Sequence, residues 1–141
     1  MSYDYRAKKI VALVSDALPF GLALNALGHL AFSAGRYSYS SWMGQEIITD
    51  SDGNKHVGIS KYPVVVLKAN EDEIKAIVRK AKEQSIFVVD YPQEMFDTGI
   101  DDELVAALSK AKEPSINYKA AILAGDTAQL KKLTGHLKLY R

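Results

Sequence analysis

Polar residues with possible binding or catalytic chemistry directly follow several apolar runs of this sequence. These positions hold Ser15-Asp16, Lys68 with Asn70, Asp90, and Gly125-Asp126. In open α/β sheets, ligands bind beyond the carboxyl ends of the strands, so we expect these side chains to line a binding edge. A carboxylate such as Asp90 acts as a base, or orients a water, when its surroundings raise its pKa. Because Asp and Asn also cap helices and start turns for local reasons, a structural role stays open for each of them.

A second group of polar residues lies inside the first predicted helix. Gly21, Asn25 and His29 are spaced at i, i+4 and i+8 and therefore share one line of that helix. A buried amide without a partner costs about 1–3 kcal/mol, so this line needs hydrogen-bonding partners. Either Asn25 and His29 face a cleft next to Asp16 and bind a ligand, or they bond to the backbone of a neighbouring loop.

Several classes of site are excluded or disfavoured by residue types and spacing. The chain has no cysteine, which excludes disulfides, thiol catalysis and Cys-ligated metals. The histidines His29, His56 and His136 lie on different predicted elements and lack a metal-binding spacing. Phosphate-binding glycine patterns and a Gly-x-Ser-x-Gly nucleophile elbow are also lacking, so we predict neither a metal nor a cofactor.

The composition is that of one ordinary globular domain over residues 1–141. Of the 141 residues, 48% are hydrophobic and 25% are charged, and the net charge is +1. A near-neutral total neither favours nor excludes nucleic acid, since binding needs a local basic patch. The uncharged stretch 17–35 is long enough for a bilayer, but Pro19, Gly21 and Asn25 interrupt it. We therefore expect a core helix covered on more than one side and, with no secretory signal, a cytoplasmic protein without a membrane span.

The apolar patterning predicts alternating strands and helices around one hairpin. Strands are predicted at 9–15, 64–68, 86–89 and 119–124, with Asp90 ending the third, and the hairpin at 45–60 around Asp52-Gly53. Helices are predicted from Pro19 to about residue 34, after the N-cap Asn70, over 101–112 and from Thr127. This alternation indicates a largely parallel or mixed sheet with helices on both faces.

Three stretches of the chain carry a similarity to a known enzyme family. They are residues 64–84, which begin VVVLKANEDE, residues 121–125, AILAG, and residues 133–140, LTGHLKLY. Together with the strand 9–14 and a helix containing His29, they resemble the type II peptidyl-tRNA hydrolases over most of the chain. The resemblance implies a three-layer α/β/α domain with a mixed, largely parallel central sheet, a homodimer, and an enzyme class that cleaves peptides from tRNA.

The sequence departs from that family at two functional positions. Where the family's first helix opens with Gly-Lys-Gly-Lys, this chain has Leu18-Pro19-Phe20-Gly21-Leu22 and no lysine. Asp90 is kept, but Tyr91-Pro92-Gln93-Glu94 replaces the rest of the family's Asp-Ala-Gly-x-Thr loop. The chain is more similar to a bacterial branch of the superfamily known only as a domain of unknown function. It matches that branch at Asp16, Leu18, Pro19, Asn25 and Phe96-Asp97-Thr98-Gly99.

Three functions stay open from the sequence. In the first, the protein binds or hydrolyses a small or nucleotide-bearing ligand, with catalytic Asp90 and Thr98 and ligand-binding Asp16, Asn25, His29 and Lys68. In the second, it is an active peptidyl-tRNA hydrolase with a rearranged site and a basic rim, formed by Lys8, Lys9, Lys61, Lys68, Lys131, Lys132 and Lys138. In the third, it is a non-catalytic dimeric interaction module that uses the aromatic segment 37–42, although packing of this segment against the sheet is the favoured interpretation.

Overall fold

Seven strands and five α-helices make up the part of the chain that the computed structural model describes, residues 2–141. The strands are β1 Lys8–Ser15, β2 Ile47–Thr49, β3 Lys55–Val57, β4 Val64–Ala69, β5 Phe87–Pro92, β6 Tyr118–Asp126 and β7 Lys138–Leu139. The helices are α1 Phe20–Tyr37, α2 Glu71–Glu83, α3 Glu94–Asp97, α4 Asp101–Lys110 and α5 Thr127–Thr134. The predicted α/β class is confirmed, and the short strand β7 and helix α3 were not predicted.

The main sheet has five strands in the order β5-β6-β1-β4-β7 and is mixed. Only β1 and β4 are parallel, whereas β1–β6, β5–β6 and β4–β7 are antiparallel. The predicted mixed sheet is confirmed, but the expectation that it is largely parallel is wrong. The reason lies in the connection 93–117, which leaves β5 at Pro92 and returns beside it, where Tyr118 pairs with Pro92. A connection that returns at the same end of the sheet yields an antiparallel neighbour, because a parallel one requires a crossover.

These strand directions decide which polar strand ends meet. β1, β4 and β5 all end at one edge of the sheet, while β6 runs the opposite way between β5 and β1. Asp126 at the end of β6 consequently pairs with Lys8 at the beginning of β1, on the far edge. The expectation that Gly125-Asp126 shares an edge with Asp16 and Asp90 is wrong for this reason.

Helices cover both faces of the sheet because the strand side chains alternate between two apolar clusters. On one face, Val11 and Leu13 of β1 join a cluster with residues of α2 and α5. On the other face, Ala12 between them packs in a cluster with Ala26 and Leu30 of α1. α2 begins as predicted, since the Asn70 side chain accepts a hydrogen bond from the backbone N–H of Glu73, 2.8 Å away, in a capping box.

Helix α1 buries only one of its faces. The buried residues Ala23, Ala26, Leu30 and Ala34 form a single line, whereas Phe20 is 67% exposed and Phe32 is 85% exposed. The expectation that this apolar helix is covered on more than one side is therefore wrong for the single chain. Every helix in residues 2–141 is too short or too polar to cross a bilayer.

The predicted hairpin is confirmed as a separate two-stranded sheet, β2–β3. Gly53 in its turn has a φ of +88°, a conformation that favours glycine. The aromatic segment 37–42 precedes this hairpin, and its Trp42 side chain is buried, with 5% of it exposed. The Trp42 ring stacks on Tyr39 with a centroid distance of 4.7 Å and meets the edge of Tyr62 at 5.1 Å. For Trp42, these contacts support the interpretation that segment 37–42 packs within the fold.

Candidate functional site

A cavity of about 480 Å³ lies between α1, the second half of β5 and the segment that carries α3 and α4. We call it the α1 cavity. It is lined by Asn25, His29, Leu30, Ser33, Val89, Asp90, Tyr91, Met95, Phe96, Thr98, Gly99, Ile100, Asp101 and Leu104. Its volume falls within the range of about 300–1,000 Å³ that is typical of small-molecule sites. Four of the six predicted site residues, Asn25, His29, Asp90 and Thr98, are in this lining.

One wall of the α1 cavity is a polar row on α1. Asn25, His29 and Ser33 are spaced at i, i+4 and i+8, so they lie one above another on the same side of the helix. In the described part of the chain, none of these three side chains hydrogen-bonds to another residue. The structure therefore lacks the hydrogen bonds from Asn25 and His29 to a loop backbone that were the predicted alternative, within residues 2–141. Sequence reasoning missed Ser33, although continuing the four-residue spacing from His29 would have found it.

The second wall is formed by β5. Val89 and Tyr91 point toward α1, and Tyr91 is 4% exposed. The Tyr91 ring lies 6.1 Å from the His29 ring and 5.0 Å from the Phe96 ring, measured between centroids. Burial raises the pKa of the Tyr91 phenol, which keeps it a neutral hydrogen-bonding group. Sequence reasoning missed Tyr91, and the signal that could have found it is its two-residue spacing from Val89 on the strand.

Asp90 lies between these two residues and directs its carboxylate away from the cavity. The strand does not end at Asp90, as predicted, but continues to Pro92. Since neighbouring residues of a strand point to opposite faces, the Asp90 carboxylate lies on the α2 face, where Lys82 Nζ donates to it at 2.9 Å. Burial lowers the Lys82 pKa, but the hydrogen bond and charge of Asp90 outweigh it and the net pKa is raised. The structure therefore brings the Asp90 main chain, and not its carboxylate, to the α1 cavity.

The third wall is the segment from α3 to the beginning of α4. Met95 and Phe96 supply apolar surface, and Thr98 follows α3. The Thr98 hydroxyl donates to the backbone carbonyl of Glu94 at 2.8 Å. Because a hydroxyl has one proton, Thr98 in this arrangement can accept a hydrogen bond from a ligand but has none left to give an oxyanion. Asp101, in the first turn of α4, is the acidic residue of this wall that lines the cavity.

The other two predicted site residues lie in a different place. Asp16 and Lys68 line a hollow of about 240 Å³ together with Glu73, His136 and Lys138. β4 is three strand positions from β5 in the sheet, a distance of about 14 Å at ordinary strand spacing. An adjoining hollow of about 380 Å³ shares Glu73 and His136, whose Oε2 and Nε2 atoms are 3.4 Å apart. The structure thus divides the predicted site between two locations.

The chemistry available in the α1 cavity is hydrogen bonding and acid–base exchange. Its lining residues carry an amide, an imidazole, two hydroxyls, a phenol and two carboxyls, and none of them is Lys or Arg. In residues 2–141, no group of three or more His, Asp and Glu side chains is arranged to hold a metal ion. The cavity is therefore suited to an organic ligand that is partly apolar and partly polar.

Comparisons with other proteins place the chain in a family. No curated protein matches it. Among solved structures, one similar fold is that of a protein of unknown function from Agrobacterium tumefaciens strain C58, with a TM-score of 0.85 and 24% identity over 96% of this chain and 98% of that one. At this level of identity the likeness concerns the fold alone. A family model described as "Protein of unknown function (DUF2000)" matches residues 8–141, and the chain belongs to that family.

Proposed function

We propose that this protein binds a small organic ligand in the α1 cavity. The observation that carries the proposal is the row Asn25, His29 and Ser33, whose side chains line the cavity without a hydrogen-bonding partner in residues 2–141. Asn25 and His29 are exposed and Ser33 is partly buried, so their polar atoms are open to solvent and to a bound molecule. Three aligned side chains that line a cavity of about 480 Å³ are therefore available to a ligand.

The opposite walls indicate the shape of that ligand. The rings of Tyr91 and Phe96 and the Met95 side chain present apolar surface across from the polar row. A ligand with a flat apolar body would contact these rings, while its polar edge would bond to the Asn25 amide and the His29 imidazole. Tyr91 would add one neutral hydrogen bond at the base of the cavity.

The proposal is tested by filling the cavity and measuring binding. The isotope-labelled protein is titrated with a library of small metabolites, and shifts of backbone amide signals are recorded by NMR. We expect binders to shift signals of residues that line the α1 cavity and to lose binding in Ser33→Phe, whose ring would occupy the space. Ala31→Phe, on an exposed part of the same helix, is the matched control and keeps binding. Ligands that bind equally well to both variants would show that the cavity is not the site.

Hydrolysis in this cavity would use His29 rather than Asp90 as its base. The His29 imidazole lines the cavity, whereas the Asp90 carboxylate is bonded to Lys82 on the other face of the sheet. A general base must reach the proton that it removes. Any turnover found for a cavity ligand is therefore expected to be lost in His29→Gln and kept in Asp90→Asn.

The second candidate function is peptidyl-tRNA hydrolysis, which the sequence resemblance implies together with a shared three-layer α/β/α fold. The observation in its favour is a group of lysines around the two smaller hollows, Lys68, Lys80, Lys132 and Lys138. If tRNA binds there, its affinity falls steeply with salt, because each phosphate contact releases counterions. The assay follows release of deacylated tRNA from N-acylated aminoacyl-tRNA by wild type and Lys68→Ala, with Lys110→Ala, at the end of α4, as control. Salt-insensitive binding or no turnover argues against this candidate.

We also propose that the protein forms a homodimer through the outer face of α1. Leu24 and Phe32, two helical turns apart on the side of this helix away from its buried residues, are 50% and 85% exposed in the single chain. Large aromatic side chains are enriched in protein interfaces, and exposed apolar clusters mark interaction surfaces. The proposal accounts for an apolar helix with only one buried face.

A further inference from the structure

We infer that the ligand of the α1 cavity is a small organic cation, an ammonium group on an apolar or aromatic body, and not a nucleotide or another phosphate compound. This inference rests on the proposed function, because it specifies the ligand class of the same cavity. Three features carry it: the charge of the cavity wall, the lack of a Lys or Arg side chain that would hold a phosphate, and the aromatic rings that line the cavity together with Asp101.

The wall from α3 to α4 is strongly negative. Residues 94–103 contain five acidic residues and no Lys or Arg, namely Glu94, Asp97, Asp101, Asp102 and Glu103. The whole chain has a net charge of +1, so this concentration is a local property. Within residues 2–141, none of the five makes an ion pair with a basic side chain.

The partners that these carboxylates do have are neutral. The Asp97 carboxylate accepts a hydrogen bond from the Gln93 side-chain amide at 3.0 Å, and the Glu103 carboxylate accepts one from the backbone N–H of Gly99 at 2.8 Å. One oxygen of Glu94 is buried without any hydrogen-bonding partner in the described part of the chain. A neutral donor stabilises a carboxylate but leaves its charge in place, so the potential at this wall stays negative.

A phosphate group finds no basic Lys or Arg side chain in the cavity. Protein sites bind phosphate through Arg or Lys side chains or through clustered backbone N–H groups at a helix N-terminus. No Lys or Arg lines the α1 cavity, and the first turn of α4 at its edge carries three acidic residues, Asp101, Asp102 and Glu103. A phosphate would therefore lose its hydration and face carboxylates, which is unfavourable on both counts.

An ammonium group finds both kinds of partner that it prefers. Asp101 lines the cavity together with Phe96 and Tyr91, whose ring centroids lie 5.0 Å apart. A cation over an aromatic face is attracted by the ring quadrupole, and a nearby carboxylate adds a charge-assisted hydrogen bond. The remaining apolar surface, Met95 and Leu104, would contact the body of the ligand.

The test compares three probes of similar size on the full chain: 2-phenylethylammonium, 2-phenylethanol and 3-phenylpropionate. Dissociation constants come from NMR titrations that follow signals of the cavity residues at low salt. We expect the ammonium probe to bind about fivefold more tightly than the alcohol, and the carboxylate probe to bind most weakly. Asp101→Asn should weaken the ammonium probe about fivefold while leaving the alcohol unchanged.

Asp102→Asn is the matched control for Asp101→Asn. Both aspartates lie in the first turn of α4 and interact alike with its dipole, but only Asp101 lines the cavity. A loss of ammonium binding in Asp102→Asn that is clearly smaller than the loss in Asp101→Asn supports a local contact with Asp101, since both aspartates contribute to the potential of the wall. Carboxylate binding as tight as ammonium binding would overturn the inferred ligand class and leave the binding function intact. Failure of all three probes to shift the cavity signals would count against the proposed function as well as the inference.

Discussion

The Asp90→Asn variant separates a role of Asp90 in the fold from a role in the α1 cavity. Lys82 Nζ donates to the Asp90 carboxylate at 2.9 Å, on the face of the sheet away from His29. We expect this variant to lower the free energy of unfolding slightly and to leave ligand binding in the α1 cavity unchanged. A base acting in the cavity would give the opposite pattern, with binding or turnover lost and stability kept.

The size of the stability effect follows from the exposure of the pair. The Lys82 side chain is 55% exposed and that of Asp90 is 24% exposed, so water and salt screen much of their attraction. Pairs of this kind contribute about 0.5–1 kcal/mol, and asparagine keeps an acceptor oxygen, so the expected loss is about 0.5 kcal/mol. For a domain of this size that corresponds to a decrease in the melting temperature of about 2 °C.

The pH dependence of the effect has a definite sign. Asp90 helps to raise the Lys82 pKa in the folded state, so the contribution of the pair is complete below the ordinary lysine value of about 10.4. It is lost as the pH rises through the folded pKa, where Lys82 loses its charge. The difference between wild type and Asp90→Asn should therefore be constant near neutral pH and narrow above about pH 10.5.

Urea unfolding of wild type, Asp90→Asn, Lys82→Met and the double variant measures the interaction by a double-mutant cycle. Cavity binding of the same four proteins is followed by NMR with the ammonium probe. A coupling near zero together with lost binding in Asp90→Asn would refute the assignment of Asp90 to the α2 face. Lys82→Met is the matched control, because it removes the same pair from the other side without touching β5.

Four further expectations follow from single features of the structure. Asp50 accepts hydrogen bonds from His56 and Asn54, which lower its pKa to about 2. The stabilisation of the hairpin by these hydrogen bonds is therefore complete above about pH 4 and is lost as the pH falls through about 2. An NMR titration of its carboxyl carbon should show this midpoint, and His56→Ala should raise it; a midpoint near 4 in wild type would contradict the bonded geometry. Asn70→Ala removes the N-cap of α2 and should cost about 1 kcal/mol in urea unfolding, with Asn70→Asp nearly neutral. Burial raises the Tyr91 pKa, so wild type should lose stability as the pH rises above about 10, and Tyr91→Phe should lose less over that range in the same assay. Phe32→Glu on the exposed face of α1 should convert a dimer to a monomer in sedimentation, and a wild type that stays monomeric at all concentrations would remove the dimer proposal.

Local elements of this fold are predictable because they depend on short-range patterns. The run 9–15 predicts β1, observed at Lys8–Ser15, and the N-cap Asn70 predicts the beginning of α2 at Glu71. The helical spacing of Asn25 and His29 likewise places them on one line, and both residues line the cavity. Each of these predictions needs only the periodicity of one element.

The direction of β6 and the face of Asp90 depend on the rest of the chain. Nothing in the residues of β6 distinguishes a parallel from an antiparallel strand, because both are buried apolar runs. The orientation is set by the connection 93–117, which returns at the end of the sheet where it left. Asp90 was expected to end a strand because Asp is rare in strands, but its bond to Lys82 of α2 allows β5 to continue.

The strand direction also explains why one predicted site became two. The rule that ligands bind beyond the carboxyl ends of strands applies where those ends are neighbours in the sheet. Here β6 lies between β5 and β1 and presents its beginning at that edge, so Asp16 and Lys68 are separated from β5. The connection 93–117, which makes β6 antiparallel, carries α3 and α4 and thereby supplies the acidic wall of the α1 cavity. The same segment that divides the predicted edge therefore forms one wall of the cavity beside it, and the ligand class that we propose depends on the carboxylates of that segment.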